Sequence, residues 1–197
     1  EEALQKLLFL AGKGLPFLYI PVVDCGINGP VTPAAGMALV NAGVLIGLVL
    51  SQLKREGAPY IIPGWGGEGL DMRTMVSPYC APDPKGMAHA LAQYYRLPMF
   101  GIGGCSESKL VDGQAAAEAA LTLMAETLGG AHLIHDLGYL VSGLTFSFVQ
   151  LLLCVVIVSW IKALTRRSEV SSRTLAVDVV ESIGPEGVFL ETAQSGE

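Results

Sequence analysis

"YIIPGWGGEGLDMRT" spans residues 60 to 74, and its reading separates two α/β architectures. Tyr60-Ile61-Ile62-Pro63 is a short apolar run rich in β-formers, as a buried strand is. The loop after it carries Gly64-x-Gly66-x-x-Gly69, the spacing of a dinucleotide-binding motif. That motif works where it opens a helix whose N-terminus faces a pyrophosphate in a doubly wound sheet. Here the chain runs on through Asp71-Met72-Arg73-Thr74 to Pro78, Pro82 and Pro84, which prevents a long helix. No acidic residue stands about 20 positions on to hold a ribose, and Asp83 is too close. The loop is read instead as a strand exit whose glycines let backbone approach a ligand.

The same order repeats outward. "LPFLYIPVVD" (15–24) reads as a buried strand, "CGINGPVTP" as its exit loop, and residues 34–56 as a helix closed by Gly57 at C′. Downstream lie a helix near 85–95, a strand in "LPMFGIGG" (97–104), and a helix over 112–129. That helix has Asp112 as cap and Gly129-Gly130 as stop. "AHLIHD" (131–136) is a fourth strand; residues 146–167 are a long helix, and 173–184 a final one. Short helix-to-strand links and long polar strand exits predict parallel βα units with a site at the strand C-termini. The expectation is an α/β fold: a partial (β/α)8 TIM barrel of about four βα units, forming one domain over 1–197. A doubly wound open sheet is the alternative.

Composition narrows the function classes. The chain of 197 residues is 51% hydrophobic and only 15% charged, with a mean hydropathy of +0.51. A net charge of −6 argues against nucleic acid as a partner. Cys25, Cys80, Cys105 and Cys154 form no C-x-x-C pair and read as free thiols in a reducing, cytoplasmic compartment. His132 and His135 stand three apart, yet no second pair completes a zinc pattern. The start, "EEALQKLLFL", is acidic and is not read as a signal peptide. Residues 33–50 and 144–161 are apolar enough to suggest a two-span membrane protein. Trp160, Lys162, Arg166 and Arg167 would flank the second span; Ser147, Gln150 and Ser159 interrupt it.

Four segments in order resemble the trimethylamine methyltransferase family: "NGPVTPAAGMALVNAGVLIGLVLSQL", "GAP…DMRT", "GGCSESKLVDGQAAAEAALT" and "GAHLIHDLGYLVSGLTFS". The resemblance covers about residues 4 to 190. The family includes pyrrolysine enzymes and non-pyrrolysine relatives such as glycine betaine methyltransferase; no pyrrolysine occurs in this sequence. The resemblance implies a TIM barrel that passes a methyl group from a methylated amine to the Co(I) corrinoid (cobalamin) of a partner corrinoid protein. It also implies that these residues are the C-terminal portion of a longer barrel. The sequence departs from the family at Val155-Val156, where acidic residues are usual, and in its tail, "ETAQSGE". These departures leave open an inactive or truncated barrel with a binding role.

Methyl transfer from nitrogen needs a cationic nitrogen, so that the amine leaves neutral. A site for it needs aromatic faces, a carboxylate and an open mouth. The candidates come from strand exits. Trp65 could face the cation or the corrinoid, or simply pack on a helix. Glu68 is the acidic candidate beside it, or a solvated loop carboxylate. Asp71 and Arg73 could bind substrate, Arg73 through a betaine carboxylate, or could form a loop ion pair. His135 is the acid–base candidate, with Tyr139 near the substrate. Asn28, Gly66, Gly67, Gly103, Gly104, Ser106 and Lys109 are the cofactor-side candidates. For Asn28 an Asn-Gly turn is the competing role. Half a barrel leaves sheet edges and an apolar face uncovered, so the chain is expected to be unstable alone or to form a homo-oligomer.

Overall fold

The computed structural model describes residues 2–64, 66, 68–74, 78, 85–185 and 187–192. It divides into two compact units, Glu1–Ile161 and Lys162–Glu197. The first holds the candidate site. Its helices are α1 (Glu2–Lys13), α2 (Pro33–Lys54), α3 (Lys85–Tyr95), α4 (Gly113–Gly129) and most of α5 (Phe148–Thr165). Its strands are β1 (Phe17–Leu18), β2 (Asp24–Cys25), β3 (Tyr60–Pro63), β4 (Glu68–Gly69), β5 (Met99–Ile102), β6 (Leu133–His135), β7 (Tyr139–Leu140) and β8 (Thr145–Phe146). The second unit contains α6 (Ser172–Leu175), α7 (Val177–Ile183) and a 3-10 turn at Phe189–Glu191.

The main sheet is β1-β3-β5-β6, parallel throughout and in chain order. Its order never reverses, whereas a doubly wound sheet is defined by such a reversal. Each strand runs into a loop, then a helix, as right-handed βα units require. Side chains alternate across the sheet. Phe17, Tyr60, Ile62 and Met99 join α1, α2 and α3 in one core, with Leu7, Met37, Val40, Val44 and Ala92. A second core joins Ala119 and Leu123 of α4 to Cys154, Ile157 and Ile161 of α5. Leu18, Ile61, Phe100 and Leu133 alternate with the core residues and belong to neither core. Among the described residues, helices therefore cover one face of the sheet only.

A buried polar knot holds the helix layer to β5. Glu126 of α4 is fully buried and accepts from Lys85 Nζ at 3.0 Å; its second oxygen lies 3.0 Å from His89 Nε2. Lys85 also donates to the Ile102 carbonyl, at the C-terminal end of β5. Position 101 must be glycine for this to fit, because a Cβ there would lie 2.0 Å from Glu126 Oε2. Burial alone would raise the Glu126 pKa, but hydrogen bonds from His89 and Lys85 outweigh it and hold the carboxyl below its usual range.

The structure departs from the sequence expectations at several points. The run 15–24 holds two separate two-residue strands, β1 and β2. α2 ends at Lys54; the Gln52 side chain accepts from Gly57 N–H and donates to the Ala58 carbonyl, so Gly57 closes a side-chain-braced turn and not the helix. The last helix is broken at Ala176, which adopts φ 48° between α6 and α7. α1 and the β7–β8 hairpin were not expected. α4 matches, with Asp112 accepting from Ala115 N–H and Gly130 left-handed at its end. α2 and α5 are long and apolar enough to cross a membrane by length and composition. The ordered parallel sheet, with Met37, Val40 and Val44 of α2 in its core, speaks against the two-span reading.

Glu126→Gln is expected to lower stability by about 3–5 kcal/mol, because it leaves the Lys85 ammonium buried without its counter-charge. In the parent chain the ionised Glu126 stabilises the fold above the usual glutamate pKa of about 4.3, and this is lost as pH falls through its lower folded value. Urea titrations between pH 3 and 7 should show that loss in the parent and a flatter acid limb in the variant.

Candidate active site

The exit loops of β1, β3, β5 and β6 gather at one end of the sheet. Those of β1 and β3 are joined by the small parallel pair β2–β4, in which Asp24 is the register partner of Glu68 and Cys25 of Gly69. Beside this pair lies a cleft of about 370 Å³, lined by Cys25, Val31, Pro33, Gly69, Leu70 and Met72. Glu68 is half-buried, and Gly66 N–H donates to its Oε1 at 3.2 Å. Burial raises the Glu68 pKa above the usual carboxylate value; the Asp24 charge adds to this, while the Gly66 N–H and Lys85 oppose it. The Cys25 thiol is also pushed up, by burial and by the Glu68 and Asp24 charges. Two neighbouring carboxylates make a local field that favours a cation.

At the other end of the row, His135 closes β6. Its ring stacks on Phe100 with centroids 4.2 Å apart, and Nδ1 lies 2.7 Å from Asp136 Oδ1. The carboxylate and the ring together set the imidazole's orientation. The β7–β8 hairpin follows directly. Tyr139 is exposed on it and packs edge-on against Phe146. The hairpin tip is tied down by Ser142, whose hydroxyl donates to Glu107, and by Val141 N–H, which donates to the Ser108 carbonyl.

Several candidates prove to have packing roles. Gly64 sits against β5: a Cβ there would lie 2.8 Å from the Phe100 carbonyl oxygen and 2.9 Å from Gly101 Cα. Gly66 has φ 130° and is buried against Val40 of α2. Gly103 fits against Ile134 and Leu123, and Gly104 against Leu137 and Cys154. The opening glycine motif thus shapes the contact of strand, neighbour and helix. Ser106 is fully buried, and its hydroxyl donates to Glu118 at 2.6 Å. Asn28 accepts from Asp24 N–H and donates to the Val22 carbonyl, so both ends of its amide are spent on the turn. Asp71 accepts from Arg73 N–H and from Thr74, and its exposed pairing with Arg73 at 3.7 Å makes it a loop-shaping residue. Lys109 is exposed. Trp65 and Gly67 lie outside the described residues.

Other residues escaped the sequence reading. Glu126 had a visible signal: it shares a helical face with Ala115, Ala119, Thr122 and Leu123, an apolar stripe that a lone carboxylate interrupts. Lys85 and His89 likewise share a face with Ala92. Asp24 had none, because its role depends on the pairing of two loops 44 positions apart. Of the four cysteines, Cys25, Cys105 and Cys154 are buried; Cys80 lies outside the described residues.

The comparisons bear on this arrangement. Residues 1–196 match the family model described as trimethylamine methyltransferase (MTTB). The chain is 37% identical over 194 residues to a trimethylamine methyltransferase MttB of Desulfitobacterium hafniense (strain DSM 10664 / DCB-2), covering 96% of this chain and 39% of that protein. It is 32% identical to a trimethylamine methyltransferase MttB of Methanosarcina thermophila, over 98% of this chain and 41% of that one. It is also 32% identical to a glycine betaine methyltransferase of Desulfitobacterium hafniense (strain Y51), over 96% and 40%. The chain therefore spans about two fifths of the length of these relatives.

Two outcomes follow from the geometry. Glu68 should titrate above the usual glutamate range in a ¹³C carboxyl NMR experiment, with its resonance assigned by its loss in Glu68→Gln. Gly64→Ala should destabilise the chain by about 1–3 kcal/mol, the range for overpacking, because its methyl meets not only the Met99 side chain but also β5 backbone, which cannot give way. A nucleotide-cradle role would instead leave stability unchanged.

Proposed function

The chain belongs to the trimethylamine methyltransferase family, and from that premise we propose that it forms the C-terminal portion of a (β/α)8 barrel enzyme. The enzyme would move a methyl group from a quaternary or tertiary amine, of which glycine betaine and trimethylamine are examples, to the Co(I) corrinoid of a partner protein in the cytoplasm. The unreversed parallel order and the one-sided helix layer support the barrel, in which helices ring the outside and side chains fill the inside.

The observation that carries the chemistry is Glu68, half-buried at a strand exit with Asp24 as its register partner. An ionised Glu68 would hold a cationic nitrogen. A quaternary nitrogen leaves as a neutral amine without any proton transfer. A tertiary amine needs a proton first, and His135, in contact with Asp136 and Phe100, would do that acid–base work. Tyr139, exposed on the hairpin, presents an aromatic face for a cation. Trp65 and Arg73 keep their proposed substrate roles, Arg73 through its exposed guanidinium.

Asn28, Gly66, Gly103, Gly104 and Ser106 take part in turns and packing, and the corrinoid would be held by its own carrier protein. What the chain would supply is the amine side of the reaction: binding, orientation and exclusion of water.

The test is an assay of the complete coding chain for methylation of Co(I) corrinoid, followed by loss of the Co(I) absorbance, with glycine betaine and trimethylamine as donors. Glu68→Gln should lower kcat/KM at least about tenfold. Because the Glu68 carboxyl is neutral below its raised pKa and anionic above it, binding of a quaternary donor should strengthen as pH rises through that value. Binding of the donor without turnover would mark a non-catalytic barrel; no binding and no turnover would overturn the reading.

A further inference from the structure

We propose that Glu107 is a positioning residue for the methyl donor: through Ser142 it holds the β7–β8 hairpin, and Tyr139 with it, beside the exit of β5. This rests on the reading of Tyr139 as an aromatic face for the cation. The hairpin is short, with two residues in each strand, and such a unit is at best marginal by itself. Its tip is also strained. Val141, Ser142 and Gly143 stand in succession at φ 52°, 55° and 78°, a left-handed run that glycine tolerates and a β-branched valine resists. Such a backbone persists only where its surroundings over-determine it, and it gathers at functional sites. Here the surroundings are residues 106 to 108. Ser106 N–H donates to the Tyr139 carbonyl at 3.0 Å, and Val141 N–H donates to the Ser108 carbonyl at 3.3 Å. Between them the Ser142 hydroxyl donates to the Glu107 carboxylate.

The loop on the other side of these bonds is itself anchored. Glu118 of α4 accepts from the Ser106 hydroxyl at 2.6 Å and from Glu107 N–H at 2.8 Å. Thr122, one turn further along, accepts from Gly104 N–H at 3.0 Å. Ser106 and Ser108 are buried, and Ser108 N–H donates to the Ser106 hydroxyl. The half-buried Glu107 side chain therefore reaches from a fixed loop to the strained tip, and a carboxylate acceptor makes the stronger kind of hydrogen bond. Tyr139 depends on that tip. Among the described residues its hydroxyl has no hydrogen-bond partner; its ring is held by the hairpin and by Phe146, edge-on at 5.7 Å. His135 is held separately, by Gly103 N–H on its carbonyl and by the Phe100 stack. Loosening the tip should therefore weaken donor binding and leave the chemical step alone.

The test uses the complete coding chain with glycine betaine and the Co(I) absorbance assay. Where the donor binds without turnover, Kd from calorimetry takes the place of KM. Glu107→Ala should raise KM at least about fivefold, with kcat within about twofold of the parent. Ser142→Ala should match it, and the double variant should go no further. Glu107→Gln, whose amide oxygen still accepts from Ser142, should recover most of the loss. In a Tyr139→Ala background Glu107→Ala should leave KM where it is, which a general loss of stability does not predict. Amide hydrogen exchange should quicken at Val141 and Leu144 and stay unchanged in α4. An unmoved KM, a Glu107→Gln no better than Glu107→Ala, unchanged exchange at the tip, or a full effect of Glu107→Ala in the Tyr139→Ala background would each overturn the proposal and leave methyl transfer standing. A parent that neither binds nor turns over a donor overturns both.

Discussion

The Glu126 carboxylate is the point on which the first unit depends. It lies in the helix layer, yet it reaches the sheet through Gly101 and gathers Lys85 and His89 from the neighbouring helix. Lys85 then grips the last carbonyl of β5. Three elements distant in sequence are thereby fixed where β5 leaves the sheet. A buried ion cluster of this kind is stabilising only when complete, since each member is costly to bury alone. Its effect here is positional: it sets α3 and α4 against the strand whose exit loop leads to the hairpin.

The second constraint is the one-sided sheet. Alternation sends Tyr60, Ile62 and Met99 to the helices and Ile61, Phe100 and Leu133 away from them. A parallel sheet is stable when both faces are covered. Helices of the two cores clad one face of this sheet, and the other face carries the stacked pair Phe100 and His135. Fold and candidate chemistry therefore meet on the sheet face that carries His135.

Much of the candidate site was visible as residue types at strand exits, and Glu68, His135 and Tyr139 stand where strand-exit reasoning put them. The glycines show how such reasoning goes astray. Gly66 and Gly104 both need a left-handed or unusual backbone, a property that a ligand loop and a tight packing contact share. Only the neighbours, Val40 in one case and Cys154 in the other, reveal which applies. Ser106 and Asn28 are similar: polar side chains in loops, fully engaged by partners that no local pattern names.

The sequence by itself determined the order of the four main-sheet strands and of the long helices between them, the parallel sense of the sheet, and the caps of α4. These rest on short-range physics: hydrophobic period, helix capping and the backbone limits of glycine and proline. Only the tertiary structure decided which loop carboxylates stand together, which glycines are packing contacts, and that Glu126 is buried with its counter-charges. Those outcomes depend on contacts between segments far apart in sequence, and on the desolvation that those contacts impose. No window of local sequence encodes that.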